Sequence, residues 1–197
     1  MVDVETSSPT CSKSGHPPFA ITLKAWVDGD HPVTIDAFKT LLHKRPAALD
    51  YQGLTFTDIE TGKLAQRRVI DIHTRLAPSL TATSDSVVEI PSMKATEPYT
   101  VSHSFQIPTP SQPASSADPS VLDAVGVELL ATMSNQAVGL NTGHTYEIGL
   151  GTQMSSVTWW REGTMAEAFA HGPIDRRAEG PRLRIVLANT ARFEVVE

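Results

Sequence analysis

Strict alternation of apolar and polar side chains is the feature that most restricts how this chain can fold. Over the nine residues from Phe19 to Val27, the odd positions are apolar and the even positions carry Ala20, Thr22, Lys24 and Trp26. Successive side chains of a strand point to opposite faces, so a period of two predicts a half-buried β-strand. Residues 99–107 repeat the pattern, with Tyr99, Val101, His103, Phe105 and Ile107 on one face. The fold must therefore pair strands that are distant in the sequence.

Shorter segments of similar character predict further strands at 33–37, 54–60, 63–74, 87–90, 146–150, 157–161, 183–187 and 193–196. Thr61-Gly62 separates two of them and suits a two-residue type I′ hairpin loop. Asp118-Pro119, followed by apolar residues at near-helical spacing, predicts one short helix. Many short strands with little helix predict a mainly β protein, an antiparallel β-sandwich.

The chain has 197 residues, which suits one domain with a self-sufficient core. Residues 1–18 are rich in Ser, Thr and Pro and lack the apolar stretch of a secretory signal, so they are predicted to form a flexible tail. The single sandwich domain is expected to span 19–197, with an exposed loop at 109–120, where Pro and Ser dominate.

Charge and cysteine content exclude several function classes. The net charge of −6 with scattered Lys and Arg disfavours nucleic acid as a partner. No apolar run approaches the ~20 residues of a membrane-spanning helix. Cys11 is the only cysteine, so no intrachain disulfide can form, and Asn-x-Ser/Thr does not occur. These absences favour a cytoplasmic protein.

A corner motif precedes the strand at 146–150. Leu140, Gly143 and Tyr146 fit the pattern L-x-x-G-x-x-Y, which resembles the corner before strand F in immunoglobulin and fibronectin type III folds. The resemblance implies that Tyr146 packs its ring inward while its hydroxyl bonds upstream backbone. This motif indicates a fold and carries no chemistry of its own.

The C-terminal third extends the resemblance. Residues 146–150, 158–164 and 192–196 look like those of uncharacterised small immunoglobulin-like proteins of filamentous fungi. This resemblance implies a fold but no activity. Similar sandwiches also occur beside fungal zinc metalloproteases. The chain contains no H-E-x-x-H, so the resemblance does not extend to protease activity.

Three polar residues are candidates for proton transfer. Asp71 and His73 lie two apart on a predicted strand and share a face, as a carboxylate that orients a base would require. Ile70 and Ile72 supply the core face of this strand. The simpler interpretation is therefore that Asp71 and His73 face solvent. His103 lies on an apolar face, where a hydrogen-bonded core histidine with a lowered pKa is the simpler interpretation.

Tryptophans are the candidates for ligand binding. Trp159 and Trp160 are adjacent, so on a strand they point to opposite faces and at most one is fully in the core. Trp26 lies on the polar face of the first strand. Exposed tryptophans mark contact surfaces, and Arg161 could add polar specificity. Structural cover by a long loop at 164–181 is the alternative explanation.

The leading hypothesis is a non-enzymatic immunoglobulin-like binding module for a protein or small apolar ligand. An isomerase or cyclase using Asp71, His73 or His103 in a pocket between the sheets or under 164–181 is a second hypothesis. A homodimeric assembly protein that pairs through a sheet edge or the tryptophan face is a third. No cofactor is expected, and the scattered histidines predict no metal site.

Overall fold

The computed structural model describes residues 1–38, 40–44, 53–65, 86–107, 139–152, 154–170, 172 and 181–197. These residues form mainly β structure. The strands are β1 (Val2–Thr6), β2 (Thr10–Ser12), β3 (Phe19–Ala25), β4 (Val33–Asp36), β5 (Leu54–Asp58), β6 (Val87–Ile90), β7 (Tyr99–Phe105), β8 (Thr145–Leu150), β9 (Ser156–Val157), β10 (Trp160–Glu162), β11 (Leu183–Arg184) and β12 (Arg192–Val196). One helix, α1 (Met165–Ala170), lies in the described part of the chain, so the prediction of a loop throughout 164–181 is wrong for these residues.

Two sheets make up the sandwich. The first has the strand order β1-β3-β7 and is antiparallel throughout. The second has the order β2-β12-β8-β5. Within it β12 pairs antiparallel with β8, and β8 with β5, whereas β2 runs parallel to β12. The predicted antiparallel β-sandwich is therefore confirmed, with this one parallel pair as an exception.

Aromatic side chains from both sheets fill the space between them. Phe19 of β3 lies 5.0 Å from Phe193 of β12, measured between ring centroids. Phe105 of β7 lies 5.1 Å from Phe56 of β5. The alternation predicted for β3 and β7 is confirmed, because their odd-numbered side chains supply the buried face. Burying such rings contributes the largest apolar areas to a core.

A smaller unit lies beside the sandwich. β4 pairs with both β10 and β6, and a satellite cluster joins Val87, Trp159 and Ala168. Helix α1 covers this cluster and begins with a capping box. The Glu167 carboxylate accepts hydrogen bonds from the Thr164 amide at 2.7 Å and hydroxyl at 2.9 Å. In return the Glu167 amide donates to the Thr164 hydroxyl at 3.3 Å, so two amides that a helix start would otherwise leave unpaired are satisfied.

The prediction of a flexible tail at 1–18 is wrong. Residues 2–6 pair with β3, and residues 10–12 pair with β12. Val2, Val4 and Cys11 are almost fully buried. Burial also raises the pKa of the Cys11 thiol to about 11. The few apolar side chains of the segment complete both sheets, while most of its polar side chains are at least partly exposed.

The turn after β5 differs from the predicted two-residue loop. The Asp58 amide donates to Lys63 O at 2.9 Å, and Thr57 pairs with Leu64, so the loop contains four residues, 59–62. Gly62 has a positive φ of 67°, as the tight turn requires. The rest of the predicted strand 63–74, the helix after Asp118-Pro119 and the loop at 109–120 lie outside the described residues.

Most of the remaining strand predictions are close to the observed bounds, but the strand predicted at 183–187 is limited to the two residues of β11. Strands at 87–90, 145–150 and 192–196 match within a residue, while residues 157–161 divide between β9 and β10. β4 is buried on both faces: Val33 and Ile35 pack into the main core, and α1 contacts the strand. Within the described residues no helix has the length and apolar character needed to cross a membrane.

Candidate functional site

Three polar side chains converge where β5 and β8 meet at one end of the sandwich. Asp58 ends β5, Glu60 lies in the following turn, and His144 precedes β8. His144 Nδ1 lies 2.8 Å from Asp58 Oδ2 and 3.6 Å from Glu60 Oε2. Because the β5 and β8 ladder places Asp58 opposite Tyr146, the sheet register itself brings these groups together.

Asp58 is held firmly in place. Its Oδ1 accepts hydrogen bonds from the amides of Glu60 at 2.9 Å and Thr61 at 3.1 Å, which closes an Asx turn. Its Oδ2 accepts the hydrogen bond from His144. Although only 5% of Asp58 is exposed, its carboxylate is therefore well satisfied. The turn geometry follows from this one side chain.

The hydrogen bond between Asp58 and His144 shifts both pKa values. Burial acts to raise the pKa of Asp58, but the hydrogen bonds from His144, Thr61 and Glu60 outweigh it, so the pKa is lowered. For His144 the bond to Asp58 is the main cause of a raised pKa, assisted by the charge of Glu60 and opposed by burial. The pair is therefore most stable as imidazolium and carboxylate.

The predicted corner tyrosine positions His144. The Tyr146 hydroxyl accepts a hydrogen bond from the Asn141 amide at 2.8 Å, and the residue is 1% exposed. Gly143, with φ of 80°, allows the tight turn, and Leu140 is buried beneath it. The geometry predicted for Tyr146, a buried ring with its hydroxyl bonded to upstream backbone, is confirmed. The corner fixes the backbone on which His144 stands.

Exposed apolar side chains flank this cluster. Ile59 is 44% exposed and Leu64 is 62% exposed, on either side of the turn that Asp58 closes. We call the surface formed by Ile59, Glu60, Leu64 and His144 the hairpin tip. Apolar side chains displayed on a rigid turn favour contact with another molecule over chemistry within the chain.

Asp58, Glu60 and His144 also carry donor types that bind divalent cations, and one donor atom from each lies within 4.8 Å of the others. Both Asp58 oxygens, however, already accept hydrogen bonds from N–H groups. The protein's own hydrogen bonds account for the cluster, and we assign it no metal. The prediction of no metal site stays a prediction.

The tryptophans predicted to bind a ligand are largely covered. Trp159 is 6% exposed beneath α1, and the exposed Arg161 places its guanidinium 5.5 Å from the centroid of the Trp159 ring. Trp160 packs against the main core, and its indole N–H donates to Pro181 O at 2.7 Å. Trp26 is half-buried. The adjacent tryptophans pack in different clusters, although Trp159 lies just before β10 and not within a strand.

Among the predicted proton-transfer residues, only His103 lies in the described part of the chain; Asp71 and His73 lie outside it. His103 is 1% exposed, and its Nε2 lies 3.0 Å from Leu41 O. Its Nδ1 has no hydrogen-bond partner among the described residues. Burial is the main cause of its lowered pKa, which the bond to Leu41 opposes and His43 reinforces. These features match a neutral core histidine.

We expect His103 to make the fold sensitive to acid. Its pKa in the folded state is below the ordinary 6.5, so below pH ~6.5 the unfolded chain binds the proton more readily. This effect removes at most about 1.4 kcal/mol of stability per pH unit of acidification. Urea unfolding near pH 7.5 and pH 5.5 should show a smaller loss for His103→Gln than for the unsubstituted chain.

Glutamine is the control because its amide can still donate to Leu41 O but does not titrate. His144 is present in both proteins, so comparing their pH dependences cancels its contribution. Its raised pKa would by itself increase stability as the pH falls, opposite to the effect of His103. An identical pH dependence in both proteins would contradict the assignment of His103 as an acid-sensitive group.

A groove of ≈ 620 Å³ lies near α1, lined by His31, Pro32, Glu162, Gly163, Thr164 and Glu167. It is open to solvent. Glu167 is already engaged in the capping box, and its bonds to Thr164 lower its pKa. The groove therefore does not provide the enclosed pocket that the isomerase or cyclase hypothesis needs.

Sequence reasoning missed the convergence of Asp58 and His144, which are 86 residues apart. The available signals were weak: an Asp at the start of a turn and a His just before the corner motif. Comparisons with known proteins do not identify a site either, since no protein-family model, curated protein or solved structure was found to match the chain.

Proposed function

We propose that this chain is an immunoglobulin-like binding module that has no catalytic activity and contacts a partner protein through the hairpin tip. The observation that carries the proposal is the display of Ile59 and Leu64 on a turn that Asp58 fixes with three hydrogen bonds. A preorganised apolar surface loses little conformational entropy when it binds.

The strand order supports an immunoglobulin-like arrangement. If β8, which begins with the corner tyrosine, corresponds to strand F, its neighbours β5 and β12 take the positions of strands C and G. The other sheet, β1-β3-β7, then holds the positions of strands A, B and E. The binding loops of variable-type domains are B–C, C′–C″ and F–G, whereas the hairpin tip follows β5 and precedes β8, at the opposite end of the sandwich.

The filled interior supports surface binding over a ligand between the sheets. Phe19, Phe56, Phe105 and Phe193 occupy the middle of the sandwich in the described residues. The tryptophans are used in packing, as their burial and the bond of Trp160 to Pro181 indicate. The hairpin tip exposes both apolar and ionisable side chains, as protein interfaces do, whereas the tryptophans are used in packing.

Replacing both Ile59 and Leu64 with serine should abolish partner capture without weakening the fold. Exposed substitutions of this kind usually change stability by less than about 0.5 kcal/mol. Proteins cross-linked to the double variant in a host extract would be compared by mass spectrometry with those cross-linked to the unsubstituted chain. We expect at least one partner to be depleted by about tenfold in the variant.

Met93→Ser is the matched control, because Met93 is 52% exposed and lies outside the hairpin tip. Equal capture by all three proteins would contradict the proposal. Sedimentation of the purified chain would show whether it associates with itself. A dimer that the Ile59 and Leu64 substitutions dissociate would make the partner a second copy and contradict binding of a different protein.

A further inference from the structure

We infer that the side chain of Asn189 closes the outer edge of β1 and so prevents this edge from pairing with a strand of a second copy of the chain. The edge belongs to the first sheet, whereas the hairpin tip lies on the second. Closure of the edge and binding through the hairpin tip are therefore independent of each other.

The outer edge of β1 carries backbone groups that β3 does not use. β1 is the outer strand of the sheet β1-β3-β7. Met1 and Trp26 exchange both of their backbone hydrogen bonds, at 2.6 Å and 3.0 Å. Because such pairs alternate along an antiparallel ladder, the N–H and C=O groups of Val2 and Val4 point away from β3. Outward-facing groups of this kind are a template on which another strand can add.

The chain fills these positions in two different ways. The Val2 amide donates to Val186 O, and the Ala188 amide donates to Val2 O, both at 2.9 Å. At the next position a side chain replaces the backbone: the Val4 amide donates to Asn189 Oδ1 at 2.7 Å, and Asn189 Nδ2 donates to Val4 O at 3.1 Å. The carboxamide thus offers the same acceptor and donor as the peptide group of a neighbouring strand.

Burial makes these two hydrogen bonds important. Val4 is 1% exposed although it lies at a sheet edge, and a buried backbone group needs a hydrogen-bond partner. Asn189 itself is exposed, so its replacement would open the edge while leaving the core intact. Every molecule would then carry the same open edge. Two copies could satisfy each other about a twofold axis, which is the commonest symmetry of protein dimers.

Asn189→Ala removes both hydrogen bonds to Val4. In hydrogen exchange followed by mass spectrometry on the dilute full-length protein, the peptide that contains Val4 should exchange about tenfold faster than in the unsubstituted chain. Sedimentation at increasing concentration should show a dimer whose dissociation constant is at least tenfold lower than that of the unsubstituted chain. Asn189→Leu keeps a similar volume without the hydrogen bonds, so it should behave in the same way.

Two further variants serve as controls. Asn189→Asp keeps an acceptor for the Val4 amide but adds a negative charge, which disfavours pairing at a sheet edge. Its exchange at Val4 should stay close to that of the unsubstituted chain, and it should not dimerise. Asn141→Ala replaces another exposed asparagine, whose backbone amide bonds the Tyr146 hydroxyl. Neither exchange at Val4 nor the sedimentation should change in that variant.

Unchanged exchange at Val4 in Asn189→Ala would overturn the inference. Faster exchange without self-association would also overturn it, because the open edge would then attract no second copy. The dimer of Asn189→Ala should persist when Ile59 and Leu64 are also replaced with serine. Dissociation in that triple variant would place the contact at the hairpin tip and contradict pairing through β1. The proposed function is tested separately, by partner capture with the Ile59 and Leu64 substitutions alone.

Discussion

Replacing Phe193 with alanine is expected to lower the free energy of unfolding by about 3–5 kcal/mol. The Phe193 ring lies at the centre of the aromatic core, 5.0 Å from the Phe19 centroid and 5.6 Å from that of Phe56. It also stacks on Tyr146, so its removal would weaken support for the corner. Urea unfolding followed by tryptophan fluorescence would measure the change.

Phe169→Ala is a suitable control, because Phe169 belongs to α1 and packs, only partly buried, against the satellite cluster. We expect a loss that is smaller than that caused by the core substitution. If the two substitutions destabilised the protein equally, the aromatic cluster between the sheets would not be the main source of stability.

Replacing Val4 with aspartate is expected to destabilise the fold by more than about 3 kcal/mol, or to prevent folding. Val4 is 1% exposed on β1, opposite Leu23, and a carboxylate there would be buried without a partner. A flexible tail would tolerate the same change. Circular dichroism and urea unfolding therefore distinguish an integral strand from a disordered segment.

Glu5→Ala is the adjacent control on the outer face of β1. It removes a 2.6 Å ion pair with Lys24 that is open to solvent, and such pairs contribute about 0–1 kcal/mol. A large effect at Val4 with a small one at Glu5 would match the alternating burial of the strand. Comparable effects at both positions would be inconsistent with it.

Alternation predicted the central strands well, because long regular strands with one buried face leave a clear period of two. β3 and β7 were found at nearly their full extent from this pattern alone. β1 and β2 were missed, since a five-residue and a three-residue strand contain too few apolar side chains to stand out among Ser, Thr and Pro. Their burial depends on partners far away in the sequence.

Local signals were available for two features that were not predicted correctly. Thr164 and Glu167 form a capping-box pattern that marks the start of α1. The Thr61-Gly62 pair indicated a turn but not its length, because Asp58 closes the loop through amides that sequence pattern does not reveal.

The candidate site was the hardest part to predict. The corner motif located Tyr146 correctly, and its geometry was as expected. The neighbouring His144 gains its partner only through the pairing of β5 with β8, which no local pattern specifies. The tryptophans were predicted to bind a ligand because they are large amphipathic side chains. Trp159 is instead covered by α1 and Trp160 is bonded to Pro181, and the placement of both partners depends on tertiary packing.

The buried thiol of Cys11 gives this chain a natural probe of its own fluctuations. With the pKa at about 11 and 1% of the residue exposed, a disulfide reagent at neutral pH must wait until β2 leaves β12. The modification rate, compared with that of the unfolded chain, therefore reports the equilibrium between the closed and open edge of this sheet. No label needs to be introduced, because there is one cysteine in the sequence.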